Sequence, residues 1–482
     1  MSPMQAKLVE IVRQRFGEKA VTTDPDTIAP WLSDWRGRYR GTSPAMLTPA
    51  SRDEVSAMVM LAAELRVALV PQGGNSGMVG GATPPVDGSA LLLSLRRMNA
   101  IRAMKPESNM AVAEAGVILA HFRDAAEQVG RRFPLDLGAR GSATIGGLVS
   151  TNAGGTQVLR FGNMRQLVAG VEAVLPDGSI HDGLAPLKKD NRGYDLNQLM
   201  IGAEGTLGIV TAATLRLVPG MVSRAVAWVG LESPANALAL LRAIEAKTDA
   251  VESFEILPGP VLDLVVGHVP GTRNPLESRH AWHVLIEAVA TDLAAEAPAS
   301  LLERLLTPAL ESGLAGDALI AASESQAEAF WKIRHSISES ERAAGPAVQH
   351  DISVPVDDMP RFMIEGAAEA EQRFPGTRTI AYGHLGDGNV HFHVRAPQGA
   401  DPEAFYSGQA PAITRLVHDM VVAAGGSISA EHGIGQMKRA ELERLGPPSR
   451  IAALRAIKAA LDPRGILNPG KLVALAPEPV TP

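Results

Sequence analysis

Glycine is concentrated at three loops in the first half of the chain: PQGGNSGMVGG at 71–81, LGARGSATIGGLVSTNAGG at 137–155 and GAEGTLG at 202–208. The first follows the apolar run VALV directly. Successive glycines let a backbone turn so that several N–H groups point into one concavity, which binds anionic oxygens without a lysine. PQGGNSG has that composition. It lacks the Lys-Ser/Thr ending of a nucleotide-triphosphatase loop, and it lacks the spacing and following helix of the dinucleotide fingerprint. Three such loops in one stretch of alternating helices and short β-branched strands need a shared reason.

The chain has 482 residues, enough for two or three domains. A hydrophobic share of 46%, 20% charged residues and a net charge of -7 fit a globular enzyme, without the basic excess that nucleic acid requires. Cysteine is absent, which removes disulfides, thiolate nucleophiles, iron-sulfur ligation and thiolate metal ligands. Any metal must be held by nitrogen and oxygen. The N-terminal MSPMQAKLVEIVRQRFGEKA mixes charges and lacks the apolar core of a signal peptide, so the expected compartment is the cytoplasm. VSAMVMLAAELRVALVP is interrupted by Glu64 and Arg66 before spanning length, so no membrane helix is expected; contact with a membrane would come through a partner.

Composition divides the chain. Residues 1–220 carry the glycine loops; 221–420 are alanine- and leucine-rich helices between strands such as HVLIEAVA and RTIAYGHL. Both read as α+β. Residues 421–475 form a last helical segment, with helices expected near 403–424 and 448–461, ending in LDPRGILNPGKLV. The proline-rich end, 476–482, reads as a loose tail.

A second chemistry-bearing pattern lies late in the chain: AYGHLGDGNVHFHV at 381–394 and SAEHGIG at 429–435. Together they gather His384, His391, His393, Glu431 and His432, side chains that suit a zinc-class divalent metal with a base beside it. If 391–393 is a strand, alternation puts His391 and His393 on one face with Phe392 turned into the packing. GDG supplies the reversal that returns His384 to that face. Separately, WKIRHSISES at 331–340 has helical periodicity, and Arg334 and Ser338, four apart, share a face where an arginine fork could take a carboxylate.

The order of the three glycine loops resembles the flavin-binding domain of the vanillyl-alcohol oxidase and p-cresol methylhydroxylase superfamily. That resemblance implies a two-subdomain FAD domain, an α+β substrate or cap domain with an antiparallel sheet, and a C-terminal helical segment returning to the FAD domain. It implies that Pro71, Gln72, Gly73, Gly74, Asn75, Ser76, Gly77 and Met78 cradle the FAD pyrophosphate. Leu137, Gly138, Ala139, Ser142, Thr144, Gly146, Gly147, Asn152, Ala153 and Gly154 would line the flavin. Glu204, Gly205 and Asn468 join the set, and Ile209 and Val210 would lie on the adenine side. Asn75 stands where some members attach flavin through histidine, and there is no cysteine, so the FAD is expected to be non-covalent.

GHLGDGNVH, EHGIG and DPRGILNPGK narrow the resemblance to FAD-linked D-2-hydroxyacid dehydrogenases, over residues 20–473. The group includes D-2-hydroxyglutarate dehydrogenase, D-lactate dehydrogenase and the glycolate oxidase flavin subunit. In the hydroxyglutarate branch, positions matching His384, His391 and Glu431 bind zinc, the match to His432 is the catalytic base, and matches to Arg334 and Ser338 bind substrate. Two positions depart from that pattern: Gln349 replaces a frequent lysine, and His393 replaces a substrate-binding asparagine. Loss of one cationic donor at a buried site weakens binding of a second carboxylate by ~1–3 kcal/mol, so exclusive action on hydroxyglutarate is put in question. The implied partners are a small 2-hydroxyacid and an electron acceptor such as an electron-transfer flavoprotein, cytochrome or quinone, with a homodimer as the expected assembly. Competing classes are an oxidase passing electrons to oxygen, a metal-dependent hydrolase that would leave the glycine loops unexplained, and a non-catalytic flavoprotein subunit.

Overall fold

The continuous apolar runs VALV and ALLLS become neighbouring parallel strands, Ala68–Gln72 and Ala90–Ser94, with Leu91, Leu92 and Leu93 wholly buried. Burial on both faces is what an unbroken apolar strand requires. The computed structural model describes residues 1–475, and its contacts separate into two units; the loose tail expected at 476–482 lies outside the described residues. Among the described residues, the first unit comprises Met1–Ala153, Asn163–Pro219 and the chain from Glu431 to Leu475. The second comprises Gly154–Gly162 and Gly220–Ala430.

In the first unit the two parallel strands extend through Met46–Leu47 to Val21–Thr22, forming a four-stranded sheet. A five-stranded antiparallel sheet runs in the order Ile101–Lys105, Met110–Glu114, Ile209–Arg216, Val168–Val174, Ile180–Asp182. Both sheets contribute to one core, in which Leu47, Leu69 and Leu91 meet Ala115, Val174 and Ile209. The end of the chain returns to this core: the Leu69 N–H donates to the Ile466 carbonyl and the Asn468 N–H to the Leu69 carbonyl, each at 2.8 Å. Lys458, the last buried residue of helix Pro448–Leu461, pins that return with bonds to the Asp462 carboxylate and to the Thr206 and Leu467 carbonyls.

The second unit is built on a seven-stranded antiparallel sheet in the order Asp317–Ile320, Ser223–Leu231, Trp282–Ala290, Val251–Pro258, Arg378–His384, Asn389–Arg395, Ala347–Ser353. One face is apolar. Ile256, Ile286, Ile352, Val390 and Phe392 there pack against helices Pro234–Glu245, Pro298–Glu311, Met359–Arg373 and Ala410–Ala423. The other face is apolar only in part, where Trp228, Leu257, Leu285 and Tyr382 meet helices Gly259–His268, Glu324–His335 and Ile337–Ala343.

The sequence boundaries need two corrections. The second unit runs to Ala430, not to 420, because helix Ala410–Ala423 buries Ile413, Val417 and Val421 in its core and Ser427 then bridges to Ser353. Residues 154–162 also belong to it: Arg160 pairs with buried Glu252 at 2.8 Å and the Ser253 hydroxyl donates to the Thr156 carbonyl. The helix expected over 403–424 is two, Pro402–Gly408 and Ala410–Ala423. No helix among the described residues is long and apolar enough to cross a membrane.

Candidate active site

The polar side chains of the second unit collect on one sheet face by strand alternation. Strands Arg378–His384 and Asn389–Arg395 form a hairpin in which His384 lies opposite Asn389, Tyr382 opposite His391 and Ile380 opposite His393. Directly paired residues share a face, as do residues two apart. His384, His391 and His393 therefore emerge together, while Phe392 points into the apolar core. The turn closes at Gly388, whose φ of 78° favours glycine and whose missing side chain leaves room for the Val354 carbonyl. On the far side of the hairpin, Asp351 faces His391 and Gln349 faces His393.

His384 and His391 each offer a ring nitrogen within 4.8 Å of the other. The His384 Nδ1 lies 2.6 Å from Oε1 of Glu255, which sets the orientation of the ring and turns its Nε2 edge away from that carboxylate. Glu255 comes from strand Val251–Pro258, where it pairs opposite His384, and its other oxygen accepts the Arg334 Nε–H at 2.7 Å. Burial pushes the Glu255 carboxyl up, but the facing His384 and Arg334 charges outweigh it and hold it below its ordinary value. Burial, with His384 and Arg334 nearby, pushes His391 well below 6.5, which leaves its imidazole neutral and able to ligate. Asp387 in the hairpin turn is raised by burial to about 6.

Arg334 and Ser338 are brought together, though on two helices that meet at Ser336 and not on one. The Arg334 guanidinium lies over the Tyr382 ring at 5.2 Å, and the Ser338 hydroxyl lies near the Tyr382 hydroxyl. Tyr382 also donates to Glu341 at 3.3 Å, and Glu341 holds the His393 Nδ1 at 2.8 Å. Glu255 and Glu341 escaped the sequence reading. Their one signal is an acid amid apolar neighbours in FEIL and a buried acid ending ISESE, each of which must find a partner.

In the first unit, the flavin loops meet one another. A side chain on Gly73 would strike the Thr144 hydroxyl at 2.2 Å, and one on Gly74 the Ser142 carbonyl at 1.7 Å. Asn75 takes a φ of 52° and ties the loop down by donating to the Ser33 carbonyl. Asn152, with φ 51°, accepts the Arg165 amide and ends helix Ile145–Thr151. Three buried polar atoms on these segments have no protein partner: Gln72 Oε1, Thr144 Oγ1 and Asn468 Oδ1. Native proteins rarely bury such groups without a partner. A cradle closed to side chains and lined with unused acceptors fits a large polar cofactor.

Three of the expected cofactor residues have structural roles of their own. The Glu204 carboxylate is occupied by the Ile434 and Gly435 amides, both at 2.7 Å, so it anchors the EHGIG loop. Ile209 is spent in the core beside Val174 and Leu69, whereas Val210 is buried next to it on strand Ile209–Arg216. Gly154 opens the segment belonging to the second unit. The EHGIG loop is further tied to the first glycine loop, since the Gln436 and Met437 amides both donate to the Val79 carbonyl and the Gln436 side chain to that of Gly80. Glu431 and His432 begin this loop, immediately after Ala430, whose amide donates to the Asp351 carbonyl.

Comparison with known proteins matches this architecture to named families. Residues 221–472 match the family described as FAD linked oxidases, C-terminal domain, and residues 43–183 an FAD binding domain. The mitochondrial D-2-hydroxyglutarate dehydrogenase of Arabidopsis thaliana is 37% identical over 475 residues, covering 98% of this chain and 82% of that protein. The D-2-hydroxyglutarate dehydrogenase of Xanthomonas citri pv. viticola is 36% identical over 450 residues, covering 93% of each. Among solved structures, p-cresol methylhydroxylase with substrate bound aligns with a TM-score of 0.77 at 16% identity, over 98% of both chains. The chain belongs to the FAD-linked oxidases, with the fold of the p-cresol methylhydroxylase type. It is an FAD-linked oxidoreductase of the group that contains the D-2-hydroxyglutarate dehydrogenases.

Proposed function

We propose that the protein oxidises a D-2-hydroxyacid, D-2-hydroxyglutarate or D-lactate, to the 2-oxoacid with non-covalent FAD and a zinc-class divalent cation. The cation would be held by His384, His391 and Glu431, with His432 as base. The observation that carries the metal is the state of the two imidazoles: one oriented by Glu255 through Nδ1, the other kept neutral by burial, their ring nitrogens within 4.8 Å. A carboxylate behind a histidine in this way is the usual arrangement around a ligated metal. Glu431 follows Ala430, whose tether to Asp351 supports it as the third ligand.

Flavin supplies a two-electron acceptor for hydride, and a divalent cation makes a neighbouring hydroxyl far more acidic. The chain supplies the rest. His432, on a loop fixed by Glu204, takes the proton from the substrate O2, a task that suits an imidazole near neutral pH. The Arg334 guanidinium, aligned by Glu255 and Tyr382, receives the substrate carboxylate, with Ser338 beside it. Gln349 and His393, paired across two strands, contact the substrate beyond C2 and bear on which acid is used. Electrons leave to an external acceptor in a cytoplasmic enzyme, and peroxide yield under air distinguishes this from an oxidase. Anaerobic bleaching of the flavin by D-2-hydroxyacids tests the reading; a flavin that no hydroxyacid bleaches overturns it.

A further inference from the structure

We propose that Glu255 is a positioning residue that sets, with one carboxylate, both the metal ligand His384 and the anion clamp Arg334. The inference rests on the function proposed above and deepens it. Glu255 is fully buried in strand Val251–Pro258, between Phe254 and Ile256, which point into the opposite core. Its two oxygens serve different donors at short distance: His384 Nδ1 at 2.6 Å and Arg334 Nε at 2.7 Å. Strand register puts it there, since Glu255 pairs directly with His384.

Two other buried carboxylates of the same unit neutralise arginine or satisfy an indole, and a third, Glu341, takes the Tyr382 hydroxyl and the His393 Nδ1. Glu252 binds Arg160, and Glu287 binds Arg224 and the Trp331 N–H. Glu255 differs because one of its donors is an imidazole of the 384–391 pair. Accepting from Nδ1 fixes the tautomer in which the lone pair lies on Nε2, and it fixes the ring plane. The same carboxylate accepts the Arg334 Nε–H, and the guanidinium lies over the Tyr382 ring. Metal and substrate carboxylate are thereby referred to one rigid atom group in the sheet, which is the precision a hydride transfer demands.

Glu255→Gln keeps the shape but presents one oxygen and one NH2, so it can satisfy His384 or Arg334 and must face the other with a donor. The test compares wild type, Glu255→Gln, Glu255→Asp and, as a buried carboxylate that holds no histidine, Glu287→Gln. Zinc retained per chain is measured by elemental analysis after dialysis against graded chelator, and D-2-hydroxyglutarate is titrated in anaerobic flavin reduction. Glu255→Gln is expected to weaken zinc retention roughly 10–100-fold and to raise the half-saturating substrate concentration about tenfold or more, with flavin content unchanged. Glu255→Asp, which keeps the charge, recovers part of the zinc retention, and Glu287→Gln leaves both readouts at wild-type values. Zinc retention and half-saturation both unchanged in Glu255→Gln overturn the inference while the proposed function stands. A wild type that retains no zinc overturns the metal reading itself; the half-saturation shift then decides the Arg334 role alone, and its absence overturns that too.

Discussion

Replacing Glu204 by glutamine should slow the chemistry without emptying the flavin site. The carboxylate accepts two backbone amides of the EHGIG loop at 2.7 Å, and it lies 230 residues from Ile434 in sequence. Glutamine keeps one carbonyl oxygen and turns an NH2 toward the second amide, so one charge-assisted bond is lost. Such a bond is worth about 1.5–3 kcal/mol. Burial pushes the Glu204 carboxyl up, with the two amides, Lys438 and Lys471 only partly offsetting it, so a neutral side chain recovers some desolvation cost. The net loss falls at the low end of that range, and at about 1.4 kcal/mol per decade the equilibrium between ordered and displaced loop shifts roughly tenfold toward the displaced form. Because His432 rides on this loop, flavin reduction at saturating substrate should slow by up to about that factor. Stopped-flow reduction, flavin absorbance per chain and the thermal midpoint are the measurements. A reduction rate within twofold of wild type refutes the anchoring role, and loss of flavin as the main effect returns Glu204 to the cofactor.

Gly74→Ala should lower the flavin content of the purified protein at least roughly tenfold, read as the visible-to-ultraviolet absorbance ratio, because its new carbon falls 1.7 Å from the Ser142 carbonyl. Lys458→Met should cost about 3–5 kcal/mol in urea unfolding, since it leaves the buried Asp462 carboxylate without its cation. His283 accepts the Trp228 N–H through Nδ1 and is depressed by burial, with the His280 charge adding to it, from 6.5 to about 4. The unfolded chain then binds the extra proton, so stability falls as pH drops below 6.5 and goes on falling to about 4. His283→Gln should flatten the loss of unfolding free energy between pH 7 and pH 5 by about 2 kcal/mol, and an unchanged pH slope contradicts it.

What the sequence made legible was whatever depends on local period. Alternation alone placed His391 and His393 on one face and Phe392 on the other, and GDG foretold the turn that brings His384 back. The glycine loops were legible because glycine is required where backbones approach as closely as Gly74 and Ser142 do. What stayed hidden are the long-range carboxylate partners. Glu255 meets His384 across 129 positions and Glu341 meets His393 across 52, and a lone acid in a strand or helix carries no sign of its partner. His393 likewise carries no sign in the sequence of Glu341, which takes its Nδ1. The boundary after Ala430 was missed because an alanine-rich amphipathic helix does not announce which sheet it will cover.

The central claim is that a D-2-hydroxyacid delivers hydride to the flavin only when a divalent cation is bound. Anaerobic flavin reduction by matched D- and L-2-hydroxyacids, before and after thorough chelation and again after zinc is restored, tests it directly. The account predicts bleaching by D-acids, loss of bleaching on chelation and recovery with zinc. Bleaching by L-acids alone, or D-acid bleaching indifferent to metal removal, contradicts it.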